Sequence, residues 1–139
     1  MPALMTVRRM VDPTDCDFLG HMNVSKYFAT CSDAVGSLQS ELGLTSQDIR
    51  EGRRLSFAVV RAESDFKAEL HAGDVIYMMT DILELGTKSA TFRHRLYRGS
   101  DKTLAFETLF KAAMFNLGTR RAEAIPEDVR EKALAYMAD

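Results

Sequence analysis

The sequence predicts an α+β domain in which one long helix packs against an antiparallel sheet. Apolar residues recur at three- and four-residue steps from residue 24 to residue 42, as on one face of an amphipathic helix. From residue 55 onward the apolar pattern changes to a period of two, which is typical of half-buried strands. A chain of 139 residues has the length of one domain, so we expect a single domain over residues 1–139.

The predicted long helix has a continuous apolar stripe and recognisable ends. Asn23 is a suitable N-cap, and Gly43 follows the last periodic residue as a stop signal. A short helix is predicted at residues 46–51. A final helix is predicted from Pro126, at the first helical position, to Tyr136. The stripe of the long helix consists of Val24, Tyr27, Phe28, Cys31, Val35, Leu38 and Leu42.

Strand-like segments fill most of the remaining chain. A short segment lies at residues 7–11, and four longer ones lie at residues 56–70, 75–85, 89–98 and 103–116. Short turn-forming sequences separate the four longer segments, which predicts that each of these strands pairs with its chain neighbour as an antiparallel hairpin.

A sheet of about five strands needs an element that covers its apolar face. The long helix is the only long amphipathic element in the sequence, so we expect the sheet to wrap around it. A sheet edge must also be paired or covered. We therefore expect pairing of the edge with a second copy of the chain, giving one continuous sheet.

Composition excludes several classes of function. The net charge of −2 gives no reason to expect nucleic acid or an acidic membrane as a partner. No segment approaches the ~20 apolar residues of a membrane span, and the N-terminus lacks a signal-peptide pattern. Two cysteines and three histidines provide neither a disulfide framework nor a zinc-ligand spacing, so we expect no metal and no cofactor. A cytoplasmic protein is predicted.

The densest group of reactive side chains lies at residues 15–27, directly before the long helix. Asp15, Asp17, His21 and Asn23 surround Gly20. Backbone N–H groups point outward at a helix N-terminus, where they polarise a carbonyl or hold an anion. The sequence therefore predicts carboxylate chemistry at this position.

This segment carries the pattern Asp-x-Asp-x-x-Gly-His-x-Asn-x-x-x-Tyr in full, from Asp15 to Tyr27. Gly73-Asp74 and the run 85–89, Leu-Gly-Thr-Lys-Ser, add two further matches. Together with the order of elements, the sequence resembles the hotdog-fold thioesterases of the branch grouped with 4-hydroxybenzoyl-CoA thioesterase, over about residues 5 to 131.

The resemblance implies the hotdog fold, a long central helix wrapped by a five-stranded antiparallel sheet. It also implies an acyl-CoA thioesterase that forms homodimers or homotetramers, with acyl-CoA bound at the subunit interface. The catalytic carboxylate of the family corresponds to Asp17 in this sequence. Acyl length, and CoA or acyl carrier protein as the thiol carrier, stay open.

The catalytic candidates are Asp17, His21 and Asn23. Asp17 would attack the thioester as a nucleophile or activate water as a general base. Backbone N–H groups of residues 20–24 would stabilise the oxyanion, and Gly20 would form the turn that exposes them. Each residue also has a structural interpretation: Asp17 in a turn, His21 packed beside the helix and Asn23 as a cap.

Five residues are candidates for substrate binding: Gly20, Val24, Tyr27, Glu63 and Lys88. The alternative for Tyr27 is the apolar stripe of the helix, and for Glu63 an ordinary surface position. Lys88 is a candidate for the CoA phosphates. His94 falls on the apolar face of its strand and is predicted to be a core histidine.

Two other functions are alternatives to hydrolysis. Hotdog-fold hydratases acting on enoyl or 3-hydroxyacyl thioesters place a histidine five residues after the aspartate, whereas Asp17 and His21 are four apart. A non-catalytic acyl-CoA-binding protein is the second alternative, but it would leave the carboxylate beside the thioester without a purpose.

Overall fold

The computed structural model describes residues 3–139, which form one antiparallel sheet with a long helix across one face. Two single-turn 3₁₀ helices occur at Pro13–Asp15 and Leu134–Tyr136. In chain order, the strands and α-helices are β1 (Leu4–Met10), α1 (Val24–Glu41), α2 (Ser46–Glu51), β2 (Leu55–Phe66), β3 (Val75–Leu85), β4 (Ser89–Arg98), β5 (Thr103–Asn116), β6 (Arg121–Ala122) and α3 (Glu127–Ala133).

The sheet has the strand order β1–β3–β4–β5–β2, and the two-residue β6 pairs with the end of β5. It therefore contains five main strands, as expected, and one short additional strand. The predicted hairpin between β2 and β3 is wrong. β2 pairs with β5 and β3 pairs with β1 and β4, so residues 67–74 carry the chain from one side of the sheet to the other.

This crossing segment begins where β2 ends, at Phe66 and not at residue 70 as predicted. The N–H groups of Lys67 and Ala68 both donate to the carbonyl of Ala105, which ends the regular ladder. The carbonyl of Leu70 then accepts from the N–H of Met22, at 2.7 Å. A backbone group that leaves the sheet needs another partner when buried, and here the loop before α1 supplies it.

Helix α1 packs on the sheet through one apolar face, and it is one of three α-helices in the described chain. Tyr27, Cys31, Ala34 and Leu38 are buried on this face. The predicted ends are confirmed: the side chain of Asn23 accepts from the N–H of Ser25, and Gly43 has a φ of 95°, a left-handed conformation that favours glycine. Burial of each large apolar side chain stabilises the fold by about 2 kcal/mol.

The C-terminal segment pairs with β3 beyond the point where β1 ends. α3 buries Val129 and Ala133, and the N–H of Ala138 donates to the carbonyl of Ile82 in β3. Pro126 is the N-cap residue, with extended backbone, and not the first helical residue as predicted. Within residues 3–139, none of the helices combines the length and the apolar character that a membrane span requires.

His94 is a core histidine, as predicted, and is fully buried on the helix-facing side of β4. Its Nδ1 lies 2.8 Å from the hydroxyl of Thr80, which in turn lies 2.9 Å from that of Thr6. Its Nε2 has no hydrogen-bond partner within the described residues. Because burial disfavours the charged imidazolium, the pKa of His94 falls to about 4.

This buried imidazole predicts a pH-dependent stability that His94→Gln removes. The pKa of this imidazole is near 6.5 in the unfolded chain and about 4 in the folded chain. The contribution of neutral His94 to the free energy of unfolding is therefore complete above pH 6.5 and is lost as the pH falls to 4. The decline amounts to about 3 kcal/mol. Urea unfolding from pH 4 to pH 7.5 should show it for the wild type only, and parallel curves for the two proteins would contradict the assignment.

Candidate active site

The loop before α1 is built from interlocking turns that fix its backbone. Asp12 and Asp15 form a reciprocal cap on the first 3₁₀ turn: the Asp12 carboxylate accepts from Thr14 N–H, and the Asp15 carboxylate accepts from Asp12 N–H. Cys16 and Met22 then pair across the loop as an isolated antiparallel bridge. The segment between them is therefore a closed loop that projects from the end of α1.

Gly20 lies at the tip of this loop with a φ of 89°, a conformation that a side chain would strain. The N–H of Gly20 donates to the carbonyl of Asp17 at 3.0 Å, and the N–H of Asp17 donates to the carbonyl of His21 at 3.2 Å. These two bonds reverse the chain within five residues. Gly20 thus shapes the turn, as predicted from the sequence, but its own N–H is engaged within the loop.

The Asp17 carboxylate is held at both oxygens. Its Oδ2 accepts from the Nδ2 of Asn23 and its Oδ1 from the N–H of Leu19, each at 2.9 Å. The Asn23 bond is the largest cause of the shift of the Asp17 pKa below its ordinary value, followed by the Leu19 bond. Asp17 is therefore ionised at neutral pH in a defined orientation.

Asn23 acts at two places with the two ends of one carboxamide. Its Oδ1 accepts from the N–H of Ser25 at 2.9 Å, which caps α1, while its Nδ2 donates to Asp17. The structural and the catalytic interpretations of Asn23 from the sequence therefore do not compete. The amide couples the orientation of the carboxylate to the start of the helix.

The His21 ring is beside Asp17 and does not form a hydrogen bond with it. Its Nδ1 lies 3.4 Å from the carbonyl of Met22, and its Nε2 lies 3.9 Å from the carboxylate of Glu69. The charge of His21 makes a smaller contribution to the lowered pKa of Asp17. The imidazole thus faces a cavity.

That cavity has a volume of about 300 Å³ and lies between the N-terminus of α1 and the crossing segment. His21, Met22, Val24, Tyr27, Phe66 and residues 67–69 line it. The rings of Tyr27 and Phe66 meet edge to face with centroids 5.0 Å apart. Of the candidate substrate-binding residues, Val24 and Tyr27 line this cavity and Gly20 belongs to the loop beside it.

Two further candidates lie elsewhere in the protomer. Glu63 is on the face of β2 turned away from α1, 3.0 Å from Arg61, and lines another cavity with Thr91, Leu109 and Lys111. Lys88 is in the turn between β3 and β4, where its carbonyl accepts from Met114 N–H. Tyr27, which lines the cavity, contacts Phe106 on β5, whereas Lys88 bonds to Met114 further along the same strand. The distance from Phe106 to Met114 along β5 is roughly 27 Å at ~3.4 Å per residue, so Lys88 is far from the cavity.

Phe66, Lys67 and Glu69 line the cavity although no sequence pattern predicts it. In the sequence, Phe66 fits the alternating pattern of a strand, and Lys67 and Glu69 resemble ordinary charged surface residues. They reach the cavity because β2 ends at Phe66 and the chain bends toward the loop. That bend depends on a long-range backbone pairing, Leu70 to Met22, for which the sequence has no local signal.

Some backbone N–H groups near the start of α1 remain available as hydrogen-bond donors. The N–H groups of Gly20, Met22 and Asn23 bond to Asp17, Leu70 and Asp15 respectively. Within residues 3–139 the N–H groups of His21 and Val24 have no acceptor. The predicted set of donors, residues 20–24, is thus reduced to two, and Val24 opens the first turn of α1, where the helix dipole favours negative charge.

The fold agrees with that of known proteins. A family model described as the thioesterase-like superfamily matches residues 11–133. The chain is 26% identical over 132 residues to a 1,4-dihydroxy-2-naphthoyl-CoA hydrolase from Prochlorococcus marinus (strain MIT 9303), covering 90% of this chain and 86% of that protein.

Two solved structures share the fold. The protein SAV2348 from Staphylococcus aureus, in complex with CoA, superposes with a TM-score of 0.88 at 24% identity, covering 98% of this chain and 85% of that one. Slr0204, a 1,4-dihydroxy-2-naphthoyl-CoA thioesterase from Synechocystis, superposes with a TM-score of 0.81 at 20% identity, covering 94% and 95%.

With nearly the whole chain matched by the family model, the protein belongs to the thioesterase-like superfamily and has its hotdog-like fold. It is a thioester hydrolase. Among the residues described, no group of three or more His, Cys, Asp or Glu side chains is placed to hold a metal ion.

The double role of Asn23 predicts separable effects for two substitutions. Asn23→Ser keeps a capping oxygen and removes the donor to Asp17, whereas Asn23→Ala removes both. Both variants should raise the pKa of Asp17 toward 3.8, measured by carboxyl ¹³C NMR titration, but only Asn23→Ala should lose about 1 kcal/mol of stability. An unchanged Asp17 pKa in both variants would contradict the role of the amide.

Proposed function

We propose that the protein hydrolyses an acyl-CoA thioester with Asp17 as the catalytic carboxylate. The observation that carries this proposal is an ionised carboxylate, held by Asn23 and Leu19 N–H, on the same loop as His21 and Met22, which line a cavity at the N-terminus of α1. Curated relatives named as CoA hydrolases support CoA as the thiol carrier. The CoA complex of a protein with the same fold gives further support.

The lowered pKa supports a role for Asp17 in its charged form. Asp17 either attacks the thioester carbonyl, which gives an acyl-aspartyl anhydride that water then hydrolyses, or removes a proton from the attacking water. In both routes the C–S bond breaks, CoA leaves as the thiolate and takes up a proton, and the free acid forms. His21 Nε2 is near enough to contact the substrate at the cavity.

The developing oxyanion requires donors that the loop does not already use. The N–H groups of Val24 and His21 meet this requirement, and Val24 N–H also lies at the positive end of the helix dipole. Donors fixed before the reaction contribute more than flexible ones because they need no reorganisation as charge develops. We assign the oxyanion site to this first turn of α1.

The dimensions of the cavity support a small or medium acyl group. Its volume of about 300 Å³ is at the lower end of ligand sites, and the rings of Tyr27 and Phe66 provide flat apolar walls. Relatives act on a bicyclic aromatic acyl group by name. An aromatic acyl-CoA is therefore the first substrate to assay, followed by straight-chain acyl-CoAs.

The exposed edge of β2 supports a homodimer. β2 is a terminal strand of the sheet, and Val59 and Val60 on it are 44% and 65% exposed. A long, unpaired strand edge with exposed apolar residues at its middle is a ready template for another strand. Antiparallel pairing of two copies about a twofold axis would place the Leu55 end of one β2 beside the Phe66 end of the other, next to the cavity.

That pairing offers a route by which the remote candidates join the site. Lys88 lies toward the Leu55 end of the sheet, so in the proposed dimer Lys88 of the partner subunit would be on the side of the cavity. Glu63 lies on the paired strand itself. We propose an acyl-CoA site at the subunit interface, completed by the second copy, in a homodimer or a pair of such dimers.

Asp17→Asn tests the catalytic assignment. The neutral amide is close in size to the carboxylate but neither attacks the thioester nor accepts a proton, so kcat of the folded variant should fall by at least about 100-fold. Free CoA released from a panel of aromatic and straight-chain acyl-CoAs, trapped with a thiol reagent, gives the measurement. Full activity in the variant would refute the site, and no release by the wild type from any acyl-CoA would refute the substrate class.

Val60→Asp tests the dimer. A charge on the exposed edge should block strand pairing, yield a monomer in light scattering, and reduce activity because the site loses its partner. Met5→Asp is the matched control, since Met5 is 50% exposed on β1, the other terminal strand. This control should remain dimeric and active. A monomeric wild type, or a monomeric and fully active Val60→Asp, would remove the proposed interface.

A further inference from the structure

Arg9 on β1 joins three separate parts of the molecule through one guanidinium. Its Nη1 donates to the Asp15 carboxylate at 2.7 Å, and its Nη2 donates to the hydroxyl of Thr30 at 3.1 Å. Thr30 belongs to α1 and is fully buried. The side chain of Arg9 thus connects β1, the loop before α1 and α1 itself, on the helix-facing side of the sheet.

Asp15 transmits this connection to the backbone of the loop. One oxygen of its carboxylate accepts from Arg9 and, at 3.1 Å, from the N–H of Asp12. Its carbonyl accepts from the N–H of Asn23 at 2.9 Å. The side chain of Asp15 is only 12% exposed, so the ion pair is partly shielded from water and holds its geometry better than a surface pair.

These contacts end at the catalytic carboxylate. Asn23, whose backbone is fixed by Asp15, donates through its Nδ2 to Asp17. We propose that Arg9 and Asp15 are positioning residues for the hydrolysis: they fix Asn23 relative to α1, and through Asn23 they set the orientation of Asp17. The proposal rests on the assignment of Asp17 as the catalytic carboxylate.

The clamp formed by Arg9, Asp15 and Thr30 requires an arginine. The planar guanidinium presents nitrogen donors in a fixed fork. Here Nη1 binds Asp15 and the carbonyl of Met10, while Nη2 binds Thr30 and lies 4.0 Å from the Sδ of Met22. A lysine places one ammonium at the end of a flexible stem and is unable to keep both separated contacts. Arg9→Lys therefore retains the positive charge beside Asp15 but loses the link between the loop and α1.

A purely structural role would give a different result from a positioning role. If Arg9 only stabilises the fold, its substitution lowers the melting temperature and leaves the remaining folded enzyme unchanged. If Arg9 positions Asp17, the folded variant has a lower kcat, a similar KM and a higher Asp17 pKa. Displacement of a reacting group by about 1 Å costs up to ~100-fold in rate, so even partial loosening is measurable.

Arg93→Lys is the matched control. Arg93 on β4 pairs with Asp81 on β3 on the opposite face of the sheet, with side-chain exposures of 23% and 8%, against 29% and 12% for Arg9 and Asp15. The same chemical change is thus made in an equally shielded arginine–aspartate pair away from the cavity. It should alter stability to a similar degree without altering kcat or the pKa of Asp17.

The experiment compares Arg9→Lys, Thr30→Val, the double variant and Arg93→Lys in the full-length protein. We expect a roughly 10-fold loss of kcat in Arg9→Lys, a KM within about 2-fold of the wild type, and an Asp17 pKa raised toward 3.8. Thr30→Val should show the same change, and the double variant should be no worse than Arg9→Lys, because both substitutions break the same link.

An unchanged kcat and Asp17 pKa in Arg9→Lys would overturn the clamp, and so would an equal loss of kcat in Arg93→Lys. The NMR titration of Asp17 does not require turnover, so it tests the clamp even if Asp17→Asn proves active. In that case the proposed function fails separately: the pKa of Asp17 would respond to Arg9 while activity did not depend on Asp17.

Discussion

The carboxamide of Asn23 is the interaction on which the rest of the site depends. One end caps α1 and the other binds Asp17, so the Asp17 carboxylate has a fixed relation to the helix N-terminus and its unused N–H groups. A carboxylate on a free loop would have neither a defined direction nor a lowered pKa. Here both follow from one side chain that the helix itself needs in order to begin.

The sheet supplies the second constraint. Because β2 pairs with β5 and not with β3, residues 67–74 must cross the molecule, and they do so against the loop that carries Asp17. The cavity exists because these two segments meet at the end of the helix. The loop that carries Asp17 and the lining of the cavity are thus placed together by an irregular crossing, while α1 and the main strands provide the rigid support on both sides.

His94 and His21 differ in burial, and this difference separates their roles. His94 is enclosed by the core and is neutral over the physiological range, since no charge compensates its burial. His21 has the opposite environment: it is partly exposed, beside one carboxylate and 3.9 Å from another. The first contributes to a polar row within the sheet, and the second is available at the cavity.

The sequence by itself determined the helix, its cap, the approximate positions of the strands and the loop that carries Asp17, because these depend on local periodicity, capping and turn chemistry. Only the tertiary structure decided that β2 bypasses β3, that Phe66, Lys67 and Glu69 line the cavity, and that Glu63 and Lys88 lie away from it in one protomer. Those features depend on pairings between residues far apart in the chain, such as Leu70 with Met22 and Arg9 with Asp15, which local patterns do not encode.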